Sequence, residues 1–159
     1  ATVYPGMCLF EGTGFSEGRG TPNPFLILGA PNIDAKKWLK GVPKKYLRGV
    51  KAKTIKFSPR PIKGKDSSPK HKGATCFGLK LIITDRDQFK PIPLAVALLS
   101  SAQKLYPKEL QTRKGLDRLW GSEDLRALLH SNVETEKVVK FASPNNEQFL
   151  NVRKKYLLY

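Results

Sequence analysis

Two neighbouring stretches decide the fold: Thr75-Cys76-Phe77-Gly78-Leu79-Lys80-Leu81-Ile82-Ile83-Thr84, and then Pro91-Ile92-Pro93-Leu94-Ala95-Val96-Ala97-Leu98-Leu99-Ser100-Ser101-Ala102-Gln103-Lys104-Leu105. The first is a short apolar run of the kind found in buried, central strands. The second sets Leu94, Ala95, Leu98, Leu99, Ala102 and Leu105 on one helical face. Its prolines fall in the first turn, where no helical hydrogen bond is lost, and Pro107 ends it. A strand followed by a helix that packs back onto the sheet predicts an α/β (or α+β) layer structure, a mixed sheet with packed helices.

Upstream, Phe25-Leu26-Ile27-Leu28 reads as a second buried strand, closed by Gly29 and Pro31. Asp34 is placed to cap a short helix over Ala35 to Leu39 that ends near Gly41 and Pro43. Lys53 to Phe57 alternates polar and apolar, a strand with one wet face, and Pro59 and Pro61 stop it. Residues 62–73 carry five basic side chains and little apolar content, which predicts a long exposed loop. Met7-Cys8-Leu9-Phe10 reads as a further strand that runs into a glycine loop. Strands near Met7, Phe25, Lys53 and Leu79 are thus expected in one sheet, with the glycine loop at its edge. Downstream, Ser122 is expected to cap a helix with Leu125, Leu128 and Leu129, and Ser143 with Pro144 to open a last helix carrying Phe149, Val152, Tyr156 and Leu157.

With 159 residues and 40% hydrophobic content the chain closes one core, so a single domain is expected. The longest apolar candidate for a membrane span, Pro91 to Ala102, is interrupted by Pro93, Ser100 and Ser101, which excludes a transmembrane helix there. The opening Ala1-Thr2-Val3-Tyr4 has neither Met nor a leader, so the chain is expected to be processed, truncated or cut from a longer protein. Cys8 and Cys76 lack metal-ligand spacing and read as small buried residues, with a bridge between them left open.

Charge is the outstanding feature of the composition. Lys and Arg number 29 against 13 acids, a formal +16, and fourteen of those bases fall between Lys36 and Lys72 with Asp66 as the lone acid. Such a block suits a polyanion, either nucleic acid or an anionic cell-wall glycan. Aromatic interleaving is thin (Trp38, Tyr46, Phe57) and no nucleic-acid motif appears, so nucleic acid is not the expected partner. His71 lies in the lysine-rich loop, and His130 near a helix end suits the dipole there. Neither has a second ligand at metal spacing, so no metal or other cofactor is expected.

Chemistry concentrates in Glu11-Gly12-Thr13-Gly14-Phe15-Ser16-Glu17-Gly18-Arg19-Gly20. Glycines let a ligand approach the backbone, and Glu11 and Glu17 are suited to accept from sugar hydroxyls or to do acid/base work. A glycosidase needs two carboxyl groups about 5 to 9.5 Å apart, which this spacing permits without requiring. The plainer role, Arg19 neutralising the glutamates around tight turns, is the one composition favours. Asp85 and Arg86 follow a strand directly, where α/β sheets present ligand groups, although an ion pair closing the turn serves equally.

Tyr4-Pro5-Gly6-Met7-Cys8-Leu9-Phe10-Glu11-Gly12-Thr13 and Ser16-Glu17-Gly18-Arg19-Gly20-Thr21 resemble the signature of the bacterial peptidoglycan exo-β-N-acetylmuramidases, formerly a domain of unknown function. The resemblance runs on in order through Gly29-Ala30-Pro31, Lys70-His71-Lys72-Gly73 with Cys76 and Gly78, Thr84-Asp85-Arg86, Leu105-Tyr106-Pro107, Asp117-Arg118-Leu119 and the ending Arg153 to Tyr159. It covers the chain and implies the family's smaller C-terminal domain, which forms a sugar cleft with a Rossmann-like N-terminal domain that holds the main catalytic carboxylate and is absent from these residues. It implies an exo-acting glycosidase that releases terminal N-acetylmuramic acid from peptidoglycan fragments in the cell envelope or outside the cell. The fragment alone is then expected to be inactive. Ser16, Glu17, Arg19, Asp85, Arg86 and His71 would bind substrate, with Glu11 and Glu17 contributing to catalysis. Pro22-Asn23-Pro24-Phe25 departs from the family's usual Thr-Arg-Pro-Phe, so a basic contact at position 23 is absent.

Overall fold

A computed structural model describes residues 2–64, 66–131, 133–142 and 147–157. The chain opens with α1 (Tyr4–Met7), which runs into a 3-10 turn over Cys8–Gly12. Strand β1 (Ile27–Ala30), helix α2 (Ala35–Lys40), a second 3-10 turn over Lys44–Leu47, and strands β2 (Val50–Phe57) and β3 (Cys76–Ile83) follow. The remainder is helical: α3 (Pro91–Leu105), α4 (Pro107–Leu110), α5 (Lys114–Trp120), α6 (Asp124–His130), α7 (Thr135–Phe141) and α8 (Glu147–Lys154).

The sheet is antiparallel with order β1-β3-β2, so the run from Cys76 to Ile83 is central as its apolar content predicts. Leu28 pairs with Leu79, and Ala52 with Leu81. Leu28, Leu79 and Leu81 turn the same way into one core with Trp38, Phe10, Phe15 and the length of α3. Asp34 caps α2 as expected, its Oδ1 accepting from the Lys36 and Lys37 amides at 2.8 and 3.1 Å.

The structure corrects four expectations. Met7 to Phe10 is helical, so the sheet has three strands and not four. Short apolar runs do not separate strand from buried helix by periodicity, and here Pro5 opens the turn while Gly6 lies so close to Pro91 that an added Cβ would stand 2.1 Å from its carbonyl oxygen. Helix α3 is not one-sided: residues Leu94 to Ala102 are all buried, because α1, α2, α6 and α7 surround it. Its two serines are satisfied inside, Ser100 with the Thr135 hydroxyl at 2.9 Å and Ser101 donating to the Trp38 carbonyl at 3.1 Å. Ser122 does not sit at a helix N-cap. Glu123 takes that position, and Ser122 Oγ donates to Asp124 Oδ2 at 2.8 Å. Finally, the loop over 62–73 is not exposed throughout, since Pro69 is buried and Lys70 turns inward. Ser143 and Pro144 lie outside the described residues.

Candidate functional site

The glycine loop folds by satisfying its own polar groups. Thr13 Oγ1 donates to the Phe10 carbonyl at 2.9 Å and accepts from the Phe15 amide at 3.1 Å. Ser16 Oγ accepts from the Gly18 amide at 3.1 Å, and Thr21 Oγ1 donates to the Gly18 carbonyl at 2.6 Å. Ser16 also exchanges backbone hydrogen bonds with Gly29, which sets the loop beside β1 at the sheet edge. Gly18 and Gly20 hold φ of 82° and 76°, the left-handed region that glycine enters without steric cost.

Beneath the loop lies a clamp. Lys70 Nζ reaches the carbonyls of Phe10 (2.9 Å), Glu11 (3.1 Å) and Phe15 (3.0 Å), and Glu17 Oε2 at 2.9 Å. Four acceptors around one ammonium tie the 3-10 turn at Phe10-Glu11 and the glycine loop at Phe15 and Glu17 to the loop over 62–73. Burial pulls the Lys70 ammonium below the usual lysine range, against the opposing pull of Glu17. Glu17 is 3% exposed and meets Arg19 Nε at 3.5 Å on its other oxygen. Arg19 in turn reaches Glu11 Oε1 at 3.4 Å and lies over the Phe25 ring, 5.2 Å from its centroid. Glu17 is the buried member of this network, whereas Arg19, Glu11 and Lys70, with side chains 42%, 30% and 26% exposed, are partly open, and Arg19 is the most open of them.

On the other side of Gly14 lies a cleft of about 290 Å³, bounded by Gly14, the Ala30-Pro31-Asn32 turn, His71, and Lys108 to Arg113 of the segment around α4. His71 Nε2 lies 2.7 Å from the Gly14 carbonyl, which only accepts, so that nitrogen carries the proton. The Gly14 amide donates to the Leu110 carbonyl, and a Cβ at Gly14 would stand 2.4 Å from the Glu109 carbonyl oxygen. Three of the four described non-glycine residues with positive φ line this one cleft: Asn32 (58°), His71 (55°) and Gln111 (42°). Backbone held in sparsely populated regions clusters where a site has to be shaped. The cleft walls carry the cations Lys108 and Arg113 against Glu109 alone, with the His71 ring beside them, a balance that favours an anionic ligand.

The structure thus brings together Glu11, Ser16, Glu17, Arg19 and His71, but gives them different stations. Ser16 and Glu17 are buried supports, Glu11 and Arg19 form an open rim, and His71 stands in the adjacent cleft. Asp85 and Arg86 are not part of this gathering. They follow the far end of β3, seven residues past the Gly78 that pairs with Gly29, about 20 Å along the strand. Asp85 binds the amides of Asp87 and Gln88 and the Gln88 side chain, which lowers its carboxyl from the usual range. Sequence reasoning missed Lys70, Asn32, Gln111 and Arg113. The signal for Lys70 was its place in a motif already quoted, beside His71. The two cysteines are free and buried, and burial pushes the Cys76 thiol up to about 11. Among the described residues no cluster of His, Cys, Asp and Glu has the arrangement of a metal site, and no helix is long and apolar enough to cross a membrane.

Comparison with known proteins places this geometry in a lineage. The chain is 32% identical over 159 residues to the peptidoglycan beta-N-acetylmuramidase NamZ of Bacillus subtilis (strain 168), covering 99% of this chain and 37% of that protein. Crystal structures of two DUF1343 family proteins from Bacteroides fragilis superpose with TM-scores of 0.82 and 0.70, at 20% and 27% identity. Each covers 99% of this chain, which spans 41% and 40% of their lengths. The chain therefore spans about two fifths of the relatives it matches. The family model described as "Exo-beta-N-acetylmuramidase NamZ, C-terminal" matches residues 2–159, and the chain belongs to that family.

Proposed function

We propose that this chain is the substrate-cleft domain of a glycoside hydrolase that releases terminal N-acetylmuramic acid from peptidoglycan fragments in the cell envelope or outside the cell. The observation that carries the reading is convergence. Segments far apart in sequence, represented by Gly14, by Ala30-Pro31-Asn32, by His71 and by Lys108-Glu109 just after the Tyr106-Pro107 motif, meet around one polar cleft. In this reading Arg19 grips the lactyl carboxylate of the sugar with its planar fork. Glu11 accepts from sugar hydroxyls, and His71 with Asn32 shapes the cleft beside them. Glu17 and Ser16 act from beneath, holding Arg19 and the loop. The main catalytic carboxylate is supplied by a Rossmann-like N-terminal domain, so these residues alone turn over little or no substrate.

The test compares this fragment with a two-domain protein on a chromogenic β-muramide. The fragment is expected to be inactive. In the two-domain protein, Glu11→Gln keeps the side-chain shape and is expected to lower kcat/KM by at least about tenfold with an unchanged Tm, in the range of a lost acid/base or charged hydrogen-bond partner. Turnover by the fragment, or unchanged kinetics in the variant, would reassign the rim to architecture.

A further inference from the structure

The fourteen bases between Lys36 and Lys72 do not make one surface. Lys70 is the internal clamp, Lys45 pairs with Glu136 at 2.6 Å, and the alternation of β2 sends its lysines to both faces of the sheet. One subset does gather. The face of the sheet opposite Leu28, Leu79 and Leu81 carries Lys51, Lys53 and Ile55 from β2 with Lys80 and Ile82 from β3, the last two from outside the basic block. The register sets Lys53 directly against Lys80 and Lys51 against Ile82. Paired Cα atoms stand about 4.5 to 5.5 Å apart, and Lys51 and Lys53 about 7 Å apart along their strand. Lys51 and Lys53 are exposed, while Lys80, Ile55 and Ile82 are half-buried.

Like charges placed directly opposite destabilise a sheet, and nothing offsets them here. The ion pairs among the described residues join Arg19, Lys45, Lys70 and Arg126 to their carboxylates, and none involves Lys51, Lys53 or Lys80. A strip that keeps three ammonium groups without a carboxylate partner among the described residues, around half-buried isoleucine, is complementary to an extended anionic chain. We infer that this strip docks the acidic peptide stems of peptidoglycan, extended chains that carry carboxylates between small aliphatic side chains. The inference rests on the wall-directed reading above. Lysines neutralise carboxylates as point charges, and Ile55 and Ile82 suit methyl groups. Phe57, half-buried and paired with Cys76, is the one aromatic side chain that β2 and β3 give this face; it stands beyond Ile55 and not between the lysines, short of the run of rings on which single-stranded nucleic acid stacks.

The experiment is co-sedimentation of this chain with purified, insoluble peptidoglycan of low crosslinking, in parallel with the same material after its carboxylates are amidated. The triple variant Lys51→Gln/Lys53→Gln/Lys80→Gln is expected to lose binding by about tenfold, the sum of three exposed charge contacts. Amidation should produce a similar loss for the unaltered chain, and circular dichroism should be unchanged. Binding of free N-acetylmuramic acid at the cleft should survive in the triple variant, while Arg19→Gln should weaken that sugar and leave sedimentation with the wall intact. Failure of the sugar arm alone overturns the cleft reading and not the strip. Equal sedimentation of the triple variant and the unaltered chain, or no sedimentation of either, overturns the strip. Tighter binding to single-stranded DNA than to wall at equal ionic strength, lost in the triple variant, also overturns it, in favour of nucleic acid.

Discussion

Lys70 shares one basic block of the sequence with Lys51 and Lys53, and Lys80 follows soon after it, but Lys70 and the lysines of the open sheet face have different partners. Lys70 is drawn inside, shared among three carbonyls and the Glu17 carboxylate, and its charge serves to hold the glycine loop. Lys51, Lys53 and Lys80 stand across two paired strands with no carboxylate partner among the described residues. Counting charge along the chain treats these groups alike. Topology separates them, because a loop crossing beneath residues 10–17 buries one ammonium, whereas an antiparallel register leaves the others side by side.

The sharpest way to break this contrast is Lys70→Met, which leaves the Glu17 carboxylate buried without its ammonium. Equilibrium unfolding in urea should show a loss of about 3 kcal/mol or more. Lys70→Met combined with Glu17→Leu removes both charges and should recover part of that loss. A single variant within about 0.5 kcal/mol of the unaltered chain would show that the clamp is dispensable. Next in size is Gly14→Ala. Its Cβ would stand 2.4 Å from backbone that cannot move without shifting α4, so about 2 kcal/mol of destabilisation is expected, measurable in the same unfolding experiment. Asp34→Ala removes the carboxylate that accepts from two amides at the start of α2 and should cost about 1 kcal/mol. Smallest, and of opposite sign, is Lys80→Glu. It converts a like-charge pair with Lys53 into an attractive one and should stabilise by about 0.2 to 1 kcal/mol, an effect that shrinks in high salt. Destabilisation by Lys80→Glu would show that the open face is compensated after all.

Much of the fold was legible because its signals were long or strongly punctuated. The central strand, α2 with its aspartate cap, and α3 between its prolines all emerge from pattern alone. Met7 to Phe10 was not legible as helix, since four apolar residues suit either a strand or a buried turn and the contact of Gly6 with Pro91 that decides it lies 85 residues along the chain. Helices α5 and α7 are too short and mixed to stand out. The site was legible as a set of residue types and not as an arrangement. Glu11, Glu17 and Arg19 look equivalent in the sequence, yet burial divides them into a support and a rim. Asn32 and Gln111 carry no chemical signature at all. They emerge only as backbone forced left-handed around a cleft, a property no composition records.

The most direct test of the account is a chemical-shift titration of the isotopically labelled chain with N-acetylmuramic acid. Saturable shifts are expected at the Gly14, Asn32, His71 and Gln111 amides and at the Arg19 side chain, with Lys51, Lys53 and Lys80 unmoved. Shifts confined to the open sheet face, or absent at the cleft up to saturating sugar, would contradict the assignment of this cleft as the substrate site.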